Sequence, residues 1–355
     1  MGVLQRYLWR EMAGSFVAVT GVLLAILLVY QGGAVLARAA ELQYPSSVVL
    51  RLLALGALQN VTLMLPFGLL LAVVLALGRL YSDNELFAAQ SCGLGFWRLQ
   101  GVVLATALPV AVLAAWITLL LAPQAAAAET SLRAAALRAA LSVPIQAGQF
   151  RSLGAVGTVV YARAVAADGE LQDVFIKRSL GQRVEATVAR RARRVIAADG
   201  QSQTLTLSDG ERLEGQPGSG AWRIVRFQQQ SIPLLLRAAA PGRLRQSERS
   251  SLQLADSARA ADRAELQGRL GWPLMTLVVA LVALPIGRLR PRQGRFARIW
   301  LAVLLFAVYA NLLQVGALWL ERGATSAWLG LWWVHVLMLA LVALAVALPR
   351  LRPRS

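Results

Sequence analysis

The stretch GVVLATALPVAVLAAWITLLLA, residues 101–122, is followed directly by PQAAAAETSLRAAALRAAL, residues 123–141. The first has the length of apolar sequence that an α-helix needs to cross the hydrocarbon of a bilayer. The second is rich in Ala, so we expect the helix to continue outside the membrane. The chain then stays polar until Gln267, where apolar sequence resumes. This pattern predicts membrane helices on both sides of one inserted domain.

Six apolar stretches are long enough to span a bilayer, and none has Asp, Glu or Lys in its middle. They cover residues 14–37, 48–77, 101–122, 270–287, 299–320 and 327–348. The first is too long for the apolar region of a signal peptide, so we interpret it as a retained span. A mean hydropathy of +0.57 with 57% apolar residues agrees with a membrane protein. Six crossings place both termini on one side.

The arginines predict which side that is. The side of the termini carries Arg6, Arg10, Arg79, Arg98, Arg288, Arg290, Arg292, Arg295, Arg298, Arg350, Arg352 and Arg354. The opposite loops and helix ends offer only Arg38, Arg51 and Arg322. By the positive-inside rule the termini are cytoplasmic. The inserted domain then faces outward, which is the periplasm in a bacterium with two membranes.

The net charge of +18 raises the question of nucleic-acid binding. The arginines are scattered and form no basic stripe on a soluble module, so a membrane surface with anionic lipid is the better interpretation. Cys92 is the only cysteine, and no disulfide can hold the outer domain.

The inserted region changes to a two-residue period typical of strands. Five segments alternate: 157–163, 171–177, 183–189, 203–208 and 222–227. Asp168-Gly169, Asp199-Gly200 and Asp209-Gly210 are typical of turns between strands. Short strands at this spacing predict a sandwich or jellyroll. The alternation predicts that these apolar side chains face its interior: Val159, Tyr161, Val174, Ile176, Val184, Val188, Leu205, Leu207, Ile224 and Phe227.

Several kinds of catalytic chemistry are excluded. A phosphate-binding loop needs a lysine after a glycine-rich turn, and the only lysine, Lys177, lies in a strand pattern. The single His335 lies among aromatics, where a packed, hydrogen-bonded histidine is more common than a proton relay. One His and one Cys far apart support neither a nucleophilic triad nor a metal site. We therefore predict a non-catalytic subunit without a cofactor of its own.

The loop after the second span, residues 78–95, is the most informative short segment. Ser82 with Glu85 fits a capping box that opens a short helix, and Gly93 provides its end. That helix carries Leu86, Phe87 and Ala89 on a cytoplasmic surface, which a partner groove or the lipid headgroup layer would cover. Glu85 either caps the helix or provides a charge for a partner.

Several short motifs in this order resemble the LptF branch of the lipopolysaccharide export permease family. They are RYLWRE at 6–11, LPFGLLLA at 65–72, LGRLYSDNE at 77–85, CGL at 92–94, GQF at 148–150, DVF at 173–175, LEG at 213–215 and PRQGR at 291–295. The resemblance covers nearly the whole chain. It implies six transmembrane helices with a periplasmic β-jellyroll. It also implies an LptG-like partner permease, a dimeric LptB-like ATPase that binds the ATP and Mg, an LptC-like periplasmic receiver and lipopolysaccharide as the substrate.

The resemblance also implies roles for residues. The helix around Glu85, near 82–93, matches the coupling helix that docks in a groove of the ATPase, with Leu86, Phe87 and Ala89 beside the glutamate. The interior of the β-jellyroll would shield the acyl chains of the lipid. The family tends to place basic residues for the lipid phosphates near the outer half of the first helix, where this chain has Gln31 and Ala34. Arg38 and Arg51 are the remaining candidates. The implied domains are 1–122, 123–267 and 268–355.

Three other interpretations remain open. A mechanotransmission permease for another envelope lipid or lipoprotein also works with an external ATPase, but its domain follows the first of four spans. A membrane-embedded lipid-modifying enzyme would need acid or base groups near the headgroups, where only Glu41 and Glu321 are placed. A scaffold without a transport role would be favoured if purified complexes lacked an ATPase.

Overall fold

The computed structural model describes residues 2–42, 46–142, 146–153, 158–180, 183–196, 203–218, 222–235, 245–288, 293–294, 296–326 and 328–351. Its helices flank a β region. They are α1 Val3–Leu42, α2 Ser46–Ser82, α3 Glu85–Ser91, α4 Phe96–Trp116, α5 Ala122–Ser142, α6 Ser251–Ala255, α7 Ala260–Gly287, α8 Ile299–Glu321 and α9 Trp332–Leu351. A π-helical turn, Ile117–Leu121, joins α4 to α5, and a 3-10 turn, Gln246–Glu248, precedes α6.

Five of these helical runs are long and apolar enough to cross a membrane, and they correspond to the first five predicted spans. The sixth apolar stretch forms α9, which begins at Trp332 because residues 328–331 form a turn. The apolar part of α9 that the structure describes, Trp332–Leu344, is shorter than the others. The helix predicted after the third span is present as α5.

The helices pack around one apolar core. Leu8 and Met12 of α1, Leu86 of α3 and Met275 of α7 are all buried in it. The starts of α1 and α4 and the ends of α2 and α9 meet at one end of the bundle, because Tyr7 contacts Glu85 and Trp97 shares a groove with Ala347. We call this the α3 end. The start of α1 and the end of α9 therefore lie at the same end of the bundle.

The inserted region forms one antiparallel sheet whose strands pair in chain order. The strands are β1 Arg151–Leu153, β2 Thr158–Val165, β3 Leu171–Leu180, β4 Arg183–Ile196, β5 Gln203–Gly215 and β6 Trp222–Leu235. The five predicted strands are confirmed, most of them longer than predicted, and β1 is additional. The Asp168-Gly169 turn is also confirmed, since Gly169 has a φ of 82° and its N–H donates to the Ala166 carbonyl at 2.9 Å.

Two predicted turns differ. Asp209-Gly210 lies inside β5, so the prediction of a turn there was wrong. Asp199-Gly200 lies outside the described residues. The positive φ of Asp209, 57°, explains the misleading signal, because Asp and Gly tolerate the left-handed conformation inside a strand as well as in a turn.

One face of the sheet is buried and the other is open. The buried face contains Val160, Ala162, Leu171, Val174, Ile176, Ala189, Ala192, Leu205, Leu207 and Ile232, with Phe227 packed against them. The open face presents Val188 and Ile224, which are 56% and 64% exposed. The inserted region thus forms a sheet with one buried apolar face.

The predicted interior set divides between these two faces. Val174, Ile176, Leu205, Leu207 and Phe227 belong to the buried face, as predicted. The prediction was wrong for Val159, Tyr161, Val184, Val188 and Ile224. In the register, Val160 pairs with Ile176 and Ala162 with Val174, so Val159 and Tyr161 point to the opposite face. Val188 pairs with Phe175 and Ile224 with Leu213, which also places them on the open face.

The alternation changes phase across the middle of the sheet, which explains the mixed set. Leu171, Ala192 and Leu207 form one buried row, and Val174 and Ala189 lie in the next buried row with Gly210. The two rows are three residues apart on each strand. Asp173 and Asp209, with φ values of 47° and 57°, lie between them. A left-handed residue shifts the side-chain period locally, much as a β-bulge does.

The chain divides into two compact units. The first contains Met1–Gly32, Leu53–Glu129 and Leu244–Ser355, which is most of the helical bundle. The second contains Gly33–Leu52 and Thr130–Arg243, including the sheet.

Candidate functional site

The short helix α3 begins differently from the sequence prediction. A turn through Asp83 and Asn84 precedes it, and Asn84, with a φ of 61°, occupies the N-cap position without a side-chain cap bond. The Ser82 hydroxyl instead donates to the Arg79 carbonyl at 2.9 Å and to Asp83 at 3.2 Å. The predicted capping box of Ser82 with Glu85 was therefore wrong. Glu85 is the first helical residue, too early to reach back to a cap.

The end of α3 agrees with the prediction. Gly93 has a φ of 90°, and its N–H donates to the Gln90 carbonyl at 3.0 Å. The Leu94 N–H donates to the Ala89 carbonyl, also at 3.0 Å. This pair of bonds is the Schellman arrangement, which favours glycine at the left-handed position. The helix thus has a defined stop after two turns.

The apolar side of α3 packs on its own chain. Leu86 is 1% exposed and belongs to the core of the bundle. Phe87 is half-buried with its ring edge-on to Tyr81 at 5.2 Å, and Ala89 is half-buried as well. The expectation that all three present an apolar surface to a partner was therefore wrong for Leu86. The burial of Leu86 fixes α3 to the core of the helical bundle.

Glu85 lies on the exposed side of α3 and takes part in a polar cluster. The Tyr7 hydroxyl donates to Glu85 Oε2 at 2.8 Å. Arg79 donates to the Tyr7 hydroxyl at 3.3 Å and pairs with Glu11 Oε2 at 3.0 Å. We call these four residues the Tyr7 cluster. The sequence motifs did not predict this cluster, although RYLWRE at 6–11 contains two of its members.

The candidate phosphate contacts are described only in part. Arg51 lies on α2 and is exposed. Arg38 lies on α1, but its side chain is outside the described residues. Gln31 of α1 donates from Nε2 to the Gly56 carbonyl at 3.4 Å. These observations do not bring the two arginines together.

The open face of the sheet borders a cavity of about 960 Å³. Apolar and charged side chains both line it. The apolar ones include Phe175, Val188, Leu213 and Ile224, and the charged ones are Asp173, Arg190, Asp209, Glu211 and Arg226. By register, Glu211 and Arg226 lie in one row with Phe175 and Val188, and the Arg226 Nε donates to Glu211 at 2.8 Å. A cavity lined by both kinds of side chain is suited to a molecule with both kinds of surface.

A second polar arrangement lies at the end of the bundle opposite the α3 end. The Arg269 side chain is buried and pairs with Glu265 at 2.9 Å. Its guanidinium also donates to the carbonyls of Arg249, Gln246 and Ser247 and to the Ser251 hydroxyl. These bonds hold the segment that returns from the β region onto α7. A cavity of about 600 Å³ with amide and hydroxyl groups lies beside it.

His335 is a packed residue, as predicted. It is buried, and its Nδ1 lies 2.6 Å from the Tyr309 hydroxyl. Of the carboxylates considered for an enzyme, Glu321 is exposed at the end of α8, and the side chain of Glu41 is outside the described residues. Among the described residues, no group of three His, Cys, Asp or Glu side chains could hold a metal ion.

Comparison with known proteins agrees with the sequence motifs. The profile of the family described as lipopolysaccharide export system permease LptF/LptG matches residues 6–348. The lipopolysaccharide export system permease protein LptF of Escherichia coli K12 is 29% identical over 349 residues, covering 96% of this chain and 93% of that protein. The LptF protein of Shigella flexneri matches with the same identity and coverage.

Proposed function

This chain belongs to the LptF/LptG family of lipopolysaccharide export permeases, and we propose that it extracts lipopolysaccharide from the outer leaflet of the inner membrane as one subunit of an ATP-binding-cassette transporter. Permeases of this family are non-catalytic, multi-pass subunits of the inner membrane. Extraction needs an energy source because each lipid CH₂ moved into water costs roughly 0.8 kcal/mol. Since the only lysine of this chain lies in strand β3, no phosphate-binding loop is available for ATP.

The complex contains three kinds of partner: an LptG-like permease, a dimeric LptB-like ATPase and an LptC-like periplasmic protein. Family membership supports this composition. A second support is α1, since only 11% of the most apolar 18-residue stretch of this helix is buried within the chain. Most of that surface is free to pack against a partner helix or lipid.

The α3 end faces the cytoplasm and the sheet lies in the periplasm. The support is the arginine asymmetry, because the described residues near the α3 end include Arg79, Arg98, Arg288 and Arg298. The domain division at 1–122, 123–267 and 268–355 follows from this arrangement of spans.

The observation that carries the proposal is α3 itself. Its buried Leu86 fixes it to the bundle, and Glu85 is the acidic side chain on its exposed side. A short helix held in this way can transmit a push from the ATPase to the membrane helices. Glu85 meets a basic residue of the ATPase groove, while Phe87 and Ala89 contribute the parts of their surfaces that stay exposed.

Two sets of residues are assigned to the lipid, one to its acyl chains and one to its phosphates. We assign the acyl chains to the open face of the sheet, around Phe175, Val188 and Ile224, because Val188 and Ile224 are 56% and 64% exposed there beside the cavity. Of the sequence-predicted set, Val159, Tyr161 and Val184 belong to this face by register. Arg38 and Arg51 are assigned to the lipid phosphates, with further cations contributed by the partner permease.

Co-purification tests the proposal most directly. A tagged chain extracted in mild detergent should bring with it a second permease, an ATPase and bound lipopolysaccharide, all identified by mass spectrometry. Vesicles containing the purified complex should release lipopolysaccharide to a soluble acceptor only when ATP is hydrolysed. Isolation without any ATPase would contradict the proposal and favour a scaffold. Co-isolation of a different lipid or a lipoprotein would favour the mechanotransmission alternative.

A further inference from the structure

The Tyr7 cluster connects two helices that are not neighbours in the chain. Tyr7 and Glu85 are 78 positions apart, and their hydrogen bond joins the start of α1 to the first residue of α3. Arg79 donates to the Tyr7 oxygen and pairs with Glu11, one turn further along α1. With Arg79 as donor, the single phenol proton is directed to Glu85.

The other contacts of α3 connect it to different elements. The helix continues from α2 and leads into α4, and Gln90 donates to the Tyr81 hydroxyl of α2 at 3.1 Å. Leu86 lies in the shared core. The bond from Tyr7 is therefore a polar tie from α3 to the first membrane helix, and it uses the carboxylate that the proposed function assigns to the ATPase.

We propose that Tyr7, held by Arg79, is a positioning residue that orients the Glu85 carboxylate and makes α1 move together with α3 when the ATPase moves α3. This rests on the proposed role of Glu85. One carboxylate oxygen is held by Tyr7, which leaves the other for a cation of the ATPase. The first membrane helix then receives the motion directly rather than only through the bundle core.

Two conservative variants separate the parts of this arrangement. Tyr7→Phe keeps the ring and the charge of Glu85 but deletes the hydrogen bond. Glu85→Gln keeps a carbonyl oxygen that can accept from Tyr7 but deletes the charge. Tyr81→Phe is the matched control, because it deletes a hydroxyl bonded to α3 on the α2 side. Tyr7 is 42% exposed, so its substitution leaves the core intact.

The experiment uses the complex in lipid vesicles and two measurements. The first is lipopolysaccharide released per ATP hydrolysed. The second is the distance between spin labels on the native Cys92, which is exposed at the end of α3, and on Arg10→Cys of α1. We expect one narrow distance that stays constant on ATP binding. In Tyr7→Phe it should broaden, and release per ATP should fall by about three- to tenfold, the factor associated with one net hydrogen bond.

The outcomes of the variants are distinguishable. If the Tyr7→Phe complex matches the Tyr81→Phe control both in lipopolysaccharide released per ATP and in the distance between the spin labels, the positioning role is overturned. The role of Glu85 stays intact in that case if Glu85→Gln still abolishes coupling. Wild-type behaviour of Glu85→Gln would instead overturn the proposed role of Glu85, and the distance in Tyr7→Phe would still decide whether the tie between the helices exists.

Discussion

Thr20 of α1 lies directly against Gly68 of α2, so that a Cβ atom at position 68 would overlap the Thr20 hydroxyl oxygen. Thr20 is buried, and the two helix backbones can approach because Gly68 has no side chain. Small residues are the usual means by which membrane helices pack closely. The contact therefore sets the distance between the first two membrane helices.

Gly68→Ala should push α1 away from α2. Overpacking of this kind costs about 1–3 kcal/mol, which should lower the thermal unfolding midpoint of the detergent-purified protein. Gly101→Ala on α4 is the control, because nothing lies within 4 Å of a Cβ at that position. Equal midpoints for the two variants would show that α1 does not pack on Gly68.

Glu85→Gln should uncouple ATP hydrolysis from transport. Loss of one partner from a desolvated ion pair costs on the order of 2–5 kcal/mol, so the complex should assemble weakly or hydrolyse ATP without moving lipid. Assembly is measured by co-purification and transport by release from vesicles. Ser82→Ala should behave as wild type, because the Ser82 hydroxyl bonds only to the preceding turn and to Asp83. Damage confined to Ser82→Ala would contradict the assignment.

Cysteine labelling should report the orientation of the chain. In a Cys92→Ser background, a cysteine at the exposed Gln172 should react with an impermeant maleimide once the outer membrane is permeabilised. A cysteine at the exposed Gly294 should react only after lysis. The reverse pattern would place the termini outside.

Photo-crosslinking should distinguish the two faces of the sheet. A photoreactive residue at Val188 or Ile224 should give ATP-dependent adducts with lipopolysaccharide, since both side chains are largely exposed beside the cavity. Val174, 1% exposed on the other face, is the control and should give few. Stronger adducts at Val174 would mean that the sheet opens and that its buried face carries the lipid.

The elements themselves were predictable because their signals are local and summed over many residues. Hydropathy over about 20 residues identified the membrane helices, and the two-residue period identified five of the strands. The boundaries were less accurate. The helix α7 begins at Ala260, ten residues before the predicted span, because Asp262 in its first turn is buried and accepts hydrogen bonds from Arg249 and Ser257.

The faces of the sheet were predictable only in part. Val174 and Ile176 follow simple alternation on one strand, but the face of a neighbouring strand depends on register. On β2 the buried face contains Val160 rather than the predicted Val159, a difference of one residue. The left-handed Asp173 and Asp209 then changed the phase within strands, and no local pattern distinguishes such a residue from one in a turn.

By itself, the sequence determined that this protein is a multi-pass membrane protein with one inserted β domain and a short helix at Glu85, since hydropathy, periodicity and the glycine stop at Gly93 depend on neighbouring residues alone. Only the tertiary structure decided that Leu86 is buried, that Glu85 is bonded to Tyr7, and which apolar strand residues remain open. These features join positions far apart in the chain, and they depend on packing and register.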